Sequence, residues 1–230
     1  MKLAIMQPYF FPYIGYWQLI NAVDKFVIYD DVAYINRGWI NRNNFLINGE
    51  KKMFSMELKG ASQNKLINEI EIFDNFVKFQ KLLKFNYSKA PYYKSINEIV
   101  IGIIKFDTSN LAAFLENSIN IICSYLKIKT NIIISSAIEK NNDFKAQNKI
   151  LHICKLIGAS DYYNAIGGMD LYNKSEFYDS GIKLKFIKSN INMYKQFNNV
   201  FIPGLSIIDI LMFNSVDSVQ EMLEDYTLIQ

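Results

Sequence analysis

With 230 residues and 25 Lys+Arg against 22 Asp+Glu, the chain carries a formal net charge of only +3, and half of its residues are hydrophobic. The length suits one large domain, or a domain with an insertion, with ample material for a core. So small a charge, with no basic stripe interleaved with aromatics, excludes a nucleic-acid surface.

No window approaches the roughly 18 uninterrupted apolar residues of a membrane span, so no transmembrane helix is expected. The apolar run in MKLAIMQPYF is too short for a signal peptide. Cys123 and Cys154 lie in apolar helical patterns and read as core thiols rather than a disulfide. A cytoplasmic location is the expectation.

In chain order, LAIM (3–6) reads as a buried strand of a parallel sheet. Pro8 and Pro12 make residues 7–13 a rigid loop. A helix follows from Gly15 to Ala22, with Tyr16, Leu19, Ile20 and Val23 at helical spacing. KFVIY (25–29) is the second strand and ends in Asp30-Asp31. NFLI (44–47), a turn at Asn48-Gly49-Glu50 and KMFSMEL (52–58) form a β-hairpin. After a polar loop from Lys59 to Asn64, an amphipathic helix is predicted from Phe73 to Lys89, closed before Pro91, and another from Lys94 to Lys105. Asp107, Thr108 or Ser109 caps a long helix running to Leu126.

The second half alternates. NIIIS (131–135) is a strand, and a helix from Phe144 to Ile157 ends at Gly158. DYYNA (161–165) is a strand leading to Gly167-Gly168, then an irregular helix spans Met169 to Asp179 and KLKFI (183–187) forms the next strand. Pro203-Gly204 turns, Ser206 caps the helix SIIDILMFN, and Asp217 or Ser218 caps the last helix. This alternation predicts a single α/β domain over 1–230 with a mainly parallel, five-stranded, Rossmann-like sheet, interrupted by a hairpin and helical insertion over 44–128.

The chemistry-bearing residues cluster between Gln7 and Asn44. The chain's only two arginines, Arg37 and Arg42, lie there within six residues. A planar guanidinium grips phosphate or carboxylate in a way lysine cannot. The helix starting at Ile14-Gly15 points its N-terminus at the carboxyl edge of the sheet, so Gly15 with Arg37 and Arg42 forms a candidate anion clasp. Asp30 and Asp31 end a strand on the edge where open α/β sheets bind ligands. One of them orients a substrate hydroxyl, holds Mg²⁺ beside phosphates or acts as a general base, or they are simply a turn cap and a solvated charge. Asn164 with Gly167 and Gly168 either shares that edge or makes a plain turn. Tyr9, Tyr13, Tyr16, Trp17 and Trp39 stack on a base or sugar ring, or fill the core. The single His152 excludes a zinc site of histidines, and no nucleophile–base pair accompanies it. Walker A and G-x-G-x-x-G loops are both absent.

MQPYFFPYIGYWQLI with DKFVIYDDVAYINRGWINRN, and later YYNAIGGMDLY and FIPGLSIIDILMFN, resemble the recurrent blocks of the WbqC-like family. The resemblance implies a cytoplasmic enzyme of O-antigen or related surface-polysaccharide biosynthesis. The transfer of an acyl or aminoacyl group to a nucleotide-activated amino sugar is the chemistry it favours. The implied partners are that sugar nucleotide and an acyl donor: a thioester carrier, coenzyme A or an aminoacyl donor. No cofactor is named. On this reading Arg37, Arg42 and the Gly15 helix end hold the pyrophosphate, and Asp30 or Asp31 takes the proton from the attacking ammonium. Gln7 and Asn41 or Asn43 position polar groups of either substrate, and Tyr9, Pro12 and Tyr16 complete the pocket.

Pro12-Tyr13-Ile14-Gly15-Tyr16 is also similar to the start of HIGH-motif nucleotidyltransferases, without their histidines. That analogy makes an ATP- and Mg²⁺-dependent ligase the second reading. A non-catalytic sugar-nucleotide binding or assembly protein is the third.

Overall fold

The computed structural model describes residues 1–190, 193–197 and 200–229. β1 (Lys2–Met6) leads through helix α1 (Ile14–Asn21) to β2 (Lys25–Ile28). A hairpin of β3 (Arg42–Ile47) and β4 (Glu50–Ser55) follows, then a short ladder of β5 (Leu58–Lys59) with β6 (Glu71–Ile72). Helices α2 (Val77–Tyr87), α3 (Tyr93–Ile104) and α4 (Leu111–Tyr125) complete the insertion. The chain then runs through β7 (Asn131–Ile134), α5 (Ala146–Ile157), β8 (Asp161–Ala165), α6 (Lys174–Asp179) and β9 (Lys183–Ser189). It closes with α7 (Ile207–Phe213), α8 (Val216–Glu224) and β10 (Tyr226–Ile229).

The main sheet has the order β10-β9-β8-β1-β2-β7. Its five inner-sequence strands pair parallel, and β10 pairs antiparallel with β9. The sheet is therefore mixed and six-stranded, not five-stranded as expected. The extra strand was invisible because Tyr226–Ile229 is a half-exposed edge segment with no buried apolar run. From β1 the chain moves to β2 and β7 on one side, then crosses back to β8 and β9 on the other. The succession thus reverses between β1 and β8, and the carboxyl ends of those strands flank the crevice where such sheets take ligands.

Strand residues alternate between two packed layers. Ala4, Phe26, Ile28, Tyr163 and Ile187 face one core with α1, α4, α7 and α8. Leu3, Ile5, Val27, Tyr162 and Phe186 face the other, under α5 and α6. Period-two burial on both faces explains the short, nearly continuous apolar strands. The insertion joins the first core through Phe10, Phe11, Phe45, Phe54 and Phe79, whose rings meet at 4.7–6.4 Å.

The hairpin starts at Arg42, two residues earlier than expected, with register Arg42↔Ser55 to Ile47↔Glu50. Its turn places Asn48 at φ 53° and Gly49 at φ 77°, the left-handed pair of a tight two-residue loop. Local side-chain bonds shift two helix starts. Asp74 Oδ1 accepts from Phe76 N at 2.7 Å and Asn75 Oδ1 from Val77 N at 3.1 Å, so α2 begins at Val77 rather than Phe73. α4 is capped by Asn110, which accepts from Ala113 N at 3.0 Å, not by residues 107–109. Ser206 caps α7 as predicted, but α8 is capped by Ser215, not by Asp217 or Ser218. The irregular helix of Met169–Asp179 is a 3-10 turn (Ile166–Leu171) followed by α6. Among the described residues, no helix is long and apolar enough to cross a membrane.

Candidate functional site

Parallel pairing fixes what stands at the carboxyl edge. Met6 registers with Ile28, so Gln7 lies between Tyr29 on one side and the segment after β8 on the other. Tyr29 N donates to Met6 O at 2.8 Å and carries the ladder one residue further. Gln7 O accepts from the Tyr16 hydroxyl at 3.1 Å. Its side-chain amide takes no hydrogen bond among the described residues and is half-exposed at the crevice.

Asp30 and Asp31 follow β2 and turn to opposite layers. Asp31 points toward α5, where its Oδ2 lies 2.8 Å from Lys140 Nζ and 3.1 Å from Lys149 Nζ. Lys140 and Asp31 side chains are only 2% and 10% exposed. Lys140 also donates to Ser135 O, and Lys149 to Asp31 O at 3.1 Å. Burial by itself raises the Asp31 carboxyl, but the two ammonium groups outweigh it and hold Asp31 below the usual carboxylate range. Asp31 is therefore a locked anion and a poor base. Burial, then the Asp31 charge, pushes the neighbouring Tyr29 phenol well up.

Asp30 points the other way and is 3% exposed. Its oxygens accept from Ser136 N at 2.9 Å, Ser136 Oγ at 2.6 Å and Asn68 Nδ2 at 3.2 Å. It thereby ties the ends of β2 and β7 to the insertion. Asp30 also lines a recess of about 250 Å³ with Asn68, Asn110, Ser136 and Glu116 of α4. Burial raises the Glu116 carboxyl and the nearby Asp30 charge raises it further. A carboxylate with a raised pKa in a cleft at a ligand-binding edge is a candidate general base. The Asp30 and Asp31 carboxylates have separate partners and do not converge on one ion, as a shared Mg²⁺ would need. Among the described residues no three His, Cys, Asp or Glu groups are placed to hold a metal.

The other expected residues divide. Asn43, buried, donates to Phe10 O at 3.0 Å and Phe11 O at 2.7 Å, and accepts from Asn44 N at 2.8 Å. Asn41 accepts from the Tyr34 hydroxyl and donates to Met56 O, both at 2.8 Å. Arg42 donates to Gly38 O at 2.8 Å and to Arg37 O, with its guanidinium over the Trp39 ring. Arg37 is exposed with φ 58°. Asn41 and Arg42 thus brace the loop around 37–42, Arg37 supplies a backbone carbonyl to it, and Asn43 ties β3 to the loop after β1. Pro12 O accepts from Trp17 Nε1 at 2.9 Å and from Ile207 N at 3.0 Å, so Trp17 is core. Tyr9 packs on buried Tyr16 at 5.5 Å. The space over Gly15 is filled by the Tyr13 ring, 2.5 Å from where a Cβ would stand. Asn164 is buried at the end of β8, accepting from Ala165 N at 2.7 Å, and a Cβ on Gly168 would meet its amide at 3.0 Å. Gly167 has open space around it. Asn164 and Gly168 meet at the end of β8 and Gln7 follows β1 on the neighbouring strand, while Asn41 and Arg42 hold the loop before β3 and Asn43 ties β3 to Phe10 and Phe11.

Glu116, Lys140, Lys149 and Ser136 escaped the sequence reading. Two carried a signal. Lys149 stands one turn before buried Ile153 on the apolar stripe of α5, and Glu116 stands between Ala112 and Ile119 on α4. A charge on an apolar stripe demands a partner.

The model of the WbqC-like protein family matches residues 7–221. The chain belongs to the WbqC-like family. A family relative, the uncharacterized protein Rv1507c of Mycobacterium tuberculosis, is 30% identical over 218 residues, covering 93% of each chain. No solved structure matches. The family match takes in the crevice residues Gln7 and Asn164, both aspartates, Glu116 and both lysines, so the whole carboxyl edge of this WbqC-like chain falls inside it.

Proposed function

We propose that this WbqC-like chain transfers an acyl or aminoacyl group to the amine of a nucleotide-activated amino sugar in surface-polysaccharide biosynthesis. The observation that carries the reading is the recess at the carboxyl ends of β2 and β7, where Glu116 has its carboxyl raised beside the Asp30 anion. A polar, negative recess favours an ammonium group, and a base with a raised pKa is suited to deprotonate it. Glu116 accepts one proton from the sugar ammonium. The freed nitrogen lone pair attacks the donor carbonyl and a C–N bond forms. The bond from that carbonyl to its sulfur or oxygen leaving group breaks, and the departing group takes the second proton from nitrogen. Asp30 supplies the charge that attracts the ammonium and keeps Glu116 basic. Asp31, held by two lysines, shapes the edge rather than moving protons. Gln7, half-exposed at the β1/β8 crevice, contacts the sugar, and Asn164 holds the turn after β8 behind it. Two buried free thiols fit a reducing cytoplasm.

The test is a transfer assay that pairs UDP-, GDP- and dTDP-amino sugars with acyl thioesters and aminoacyl donors, read by mass spectrometry. One pairing should yield an N-acylated sugar nucleotide, and Glu116→Gln should slow it by about 10²–10⁴. Wild-type rates in Glu116→Gln would remove the base. No product from any pairing would remove the transferase. Pyrophosphate release from ATP and Mg²⁺ would then select the ligase.

A further inference from the structure

A second cavity, of about 300 Å³, opens on the same layer of the sheet, at the carboxyl end of β9. Tyr13 and Ile14 at the start of α1 form one wall, and Tyr194 and Phe201 another. Ser189 ends the strand beneath it. Lys51, on β4, stands at the rim and donates to Pro203 O at 3.3 Å. Among the described residues no carboxylate lies within ion-pair distance of Lys51. The lysine tip lies close against the Pro203-Gly204 turn. Gly204 has φ 69°, and a Cβ there would come within 3.0 Å of Lys51 Nζ.

We propose that this cavity holds the nucleoside diphosphate end of the sugar nucleotide, with the base among the Tyr13, Tyr194 and Phe201 rings and the phosphates at Lys51. The inference rests on the sugar-nucleotide reading given above and extends it to a second place on the same edge. Three observations carry it. A largely apolar, aromatic-lined cavity with a few polar groups is what a base and ribose need, and its volume is at the small end of ligand pockets, about 300–1,000 Å³. Among the described residues Lys51 is the cation lining this cavity and pairs with no carboxylate, which suits it to an anion. The first turn of α1, which forms a wall, has no capping side chain and adds a positive backbone end to the lining of the same cavity.

The spacing along the edge selects the occupant. β9 and β2 are three strand steps apart in the order β9-β8-β1-β2, roughly 14 Å at the usual strand separation. An acyl chain in this cavity would leave its carbonyl beside β9, far from Glu116. A nucleoside diphosphate sugar is extended, and with its base here the sugar amine points along the edge toward the Asp30–Glu116 recess.

Binding is measured without any acyl donor, by calorimetry, using UDP, GDP, dTDP and ADP with their monophosphates and nucleosides. One diphosphate should bind tightest in its series. Lys51→Ala should weaken it by about tenfold to a hundredfold, the range for hydrogen bonds to charged groups, and leave the nucleoside unchanged. Lys51→Arg should retain most of the affinity. Tyr13→Ala, at a partly exposed ring, should weaken diphosphate and nucleoside alike, as loss of stacking requires. Unchanged diphosphate binding in Lys51→Ala overturns the proposal, as does failure of every nucleotide to bind. Binding of a medium-chain acyl carboxylate in place of nucleotides would make the cavity an acyl site. Lys51-dependent nucleotide binding without acyl transfer would sink the transferase and leave this site standing. Transfer with an unaltered sugar-nucleotide KM in Lys51→Ala would sink this site alone.

Discussion

Asp30 and Asp31 are neighbours in sequence with opposite electrostatic fates. The direction each side chain takes decides the outcome. Asp31 is held down by Lys140 and Lys149, and Asp30 lends its charge to Glu116. Replacing Asp31 with Asn leaves two buried ammonium groups facing each other, and the cost of breaking such a buried group is about 3–5 kcal/mol. Urea melts at neutral pH should show it. Because the folded Asp31 pKa is depressed, its stabilisation is present above the unfolded value of about 3.9 and is lost as pH falls through the folded value. The Asp31→Asn variant should therefore lose the corresponding acid slope. Glu116 shifts the other way. Asp30→Asn removes a neighbouring anion, so the Glu116 carboxyl should titrate at lower pH than in the wild type. A ¹³C-carboxyl NMR titration reads this without any substrate, and an unmoved Glu116 would detach it from Asp30. At this scale the sequence was half legible. The strand end announced both aspartates, but their lysine and glutamate partners are 85 or more residues away and only the folded sheet brings them near.

Several elements set by local chemistry were readable, although the caps of α4 and α8 were misplaced by a few residues, and the element set by tertiary pairing alone was opaque. The Ser206 cap, the Asn48-Gly49 turn and the Gly158 helix stop depend on backbone geometry within a few residues, and each is present. β10 depends wholly on the outer edge of β9, and nothing in YTLI announces that edge. α7 shows a third case. Asp209 stands in the first turn of α7, is fully buried and joins three parts of the chain. It accepts from Tyr87 of α2 at 2.9 Å, from Tyr194 at 2.5 Å and from Gln196 at 2.8 Å. Tyr87 in turn accepts from Leu46 N on β3 at 2.8 Å. Tyr87→Phe should cost about 1–3 kcal/mol, since it orphans a buried amide and shortens the donor set of a buried carboxylate. Burial raises the Asp209 carboxyl despite these bonds. The sign follows: stability falls as pH rises through the raised folded value. Asp209→Asn should flatten that slope in stability-against-pH curves.

For the whole molecule, the α/β alternation locates the carboxyl edge, because crossover connections place the ends of the five parallel strands together there. The cavities on that edge were not legible. The one beside β9 is closed by segments as far apart as Tyr13, Lys51 and Met222, and no periodicity encodes such a meeting. The insertion also reaches further than its place in the sequence suggests. Phe79 of α2 packs on Phe10 and Phe11 of the loop after β1 at 5.3 Å and 5.7 Å. Sheet and insertion share one core, so they should unfold together. Phe79→Ala, which opens a cavity of the kind that costs about 3–5 kcal/mol, should lower the far-ultraviolet and tryptophan-fluorescence midpoints equally. Separate midpoints would make the insertion an independent folding unit.

The two free cysteines acquire a use from where they lie. Cys123 of α4 belongs to one packed layer and Cys154 of α5 to the other, and burial pushes both thiols up to about 12. In the closed protein neither forms thiolate at neutral pH. Alkylation therefore waits for its own helix to lift from the sheet. One covalent tag on each side of the sheet makes the molecule its own two-channel clock: the order in which peptides carrying Cys123 and Cys154 gain mass tells which roof opens first, and a ligand in the α4 recess should slow one channel while the other keeps time.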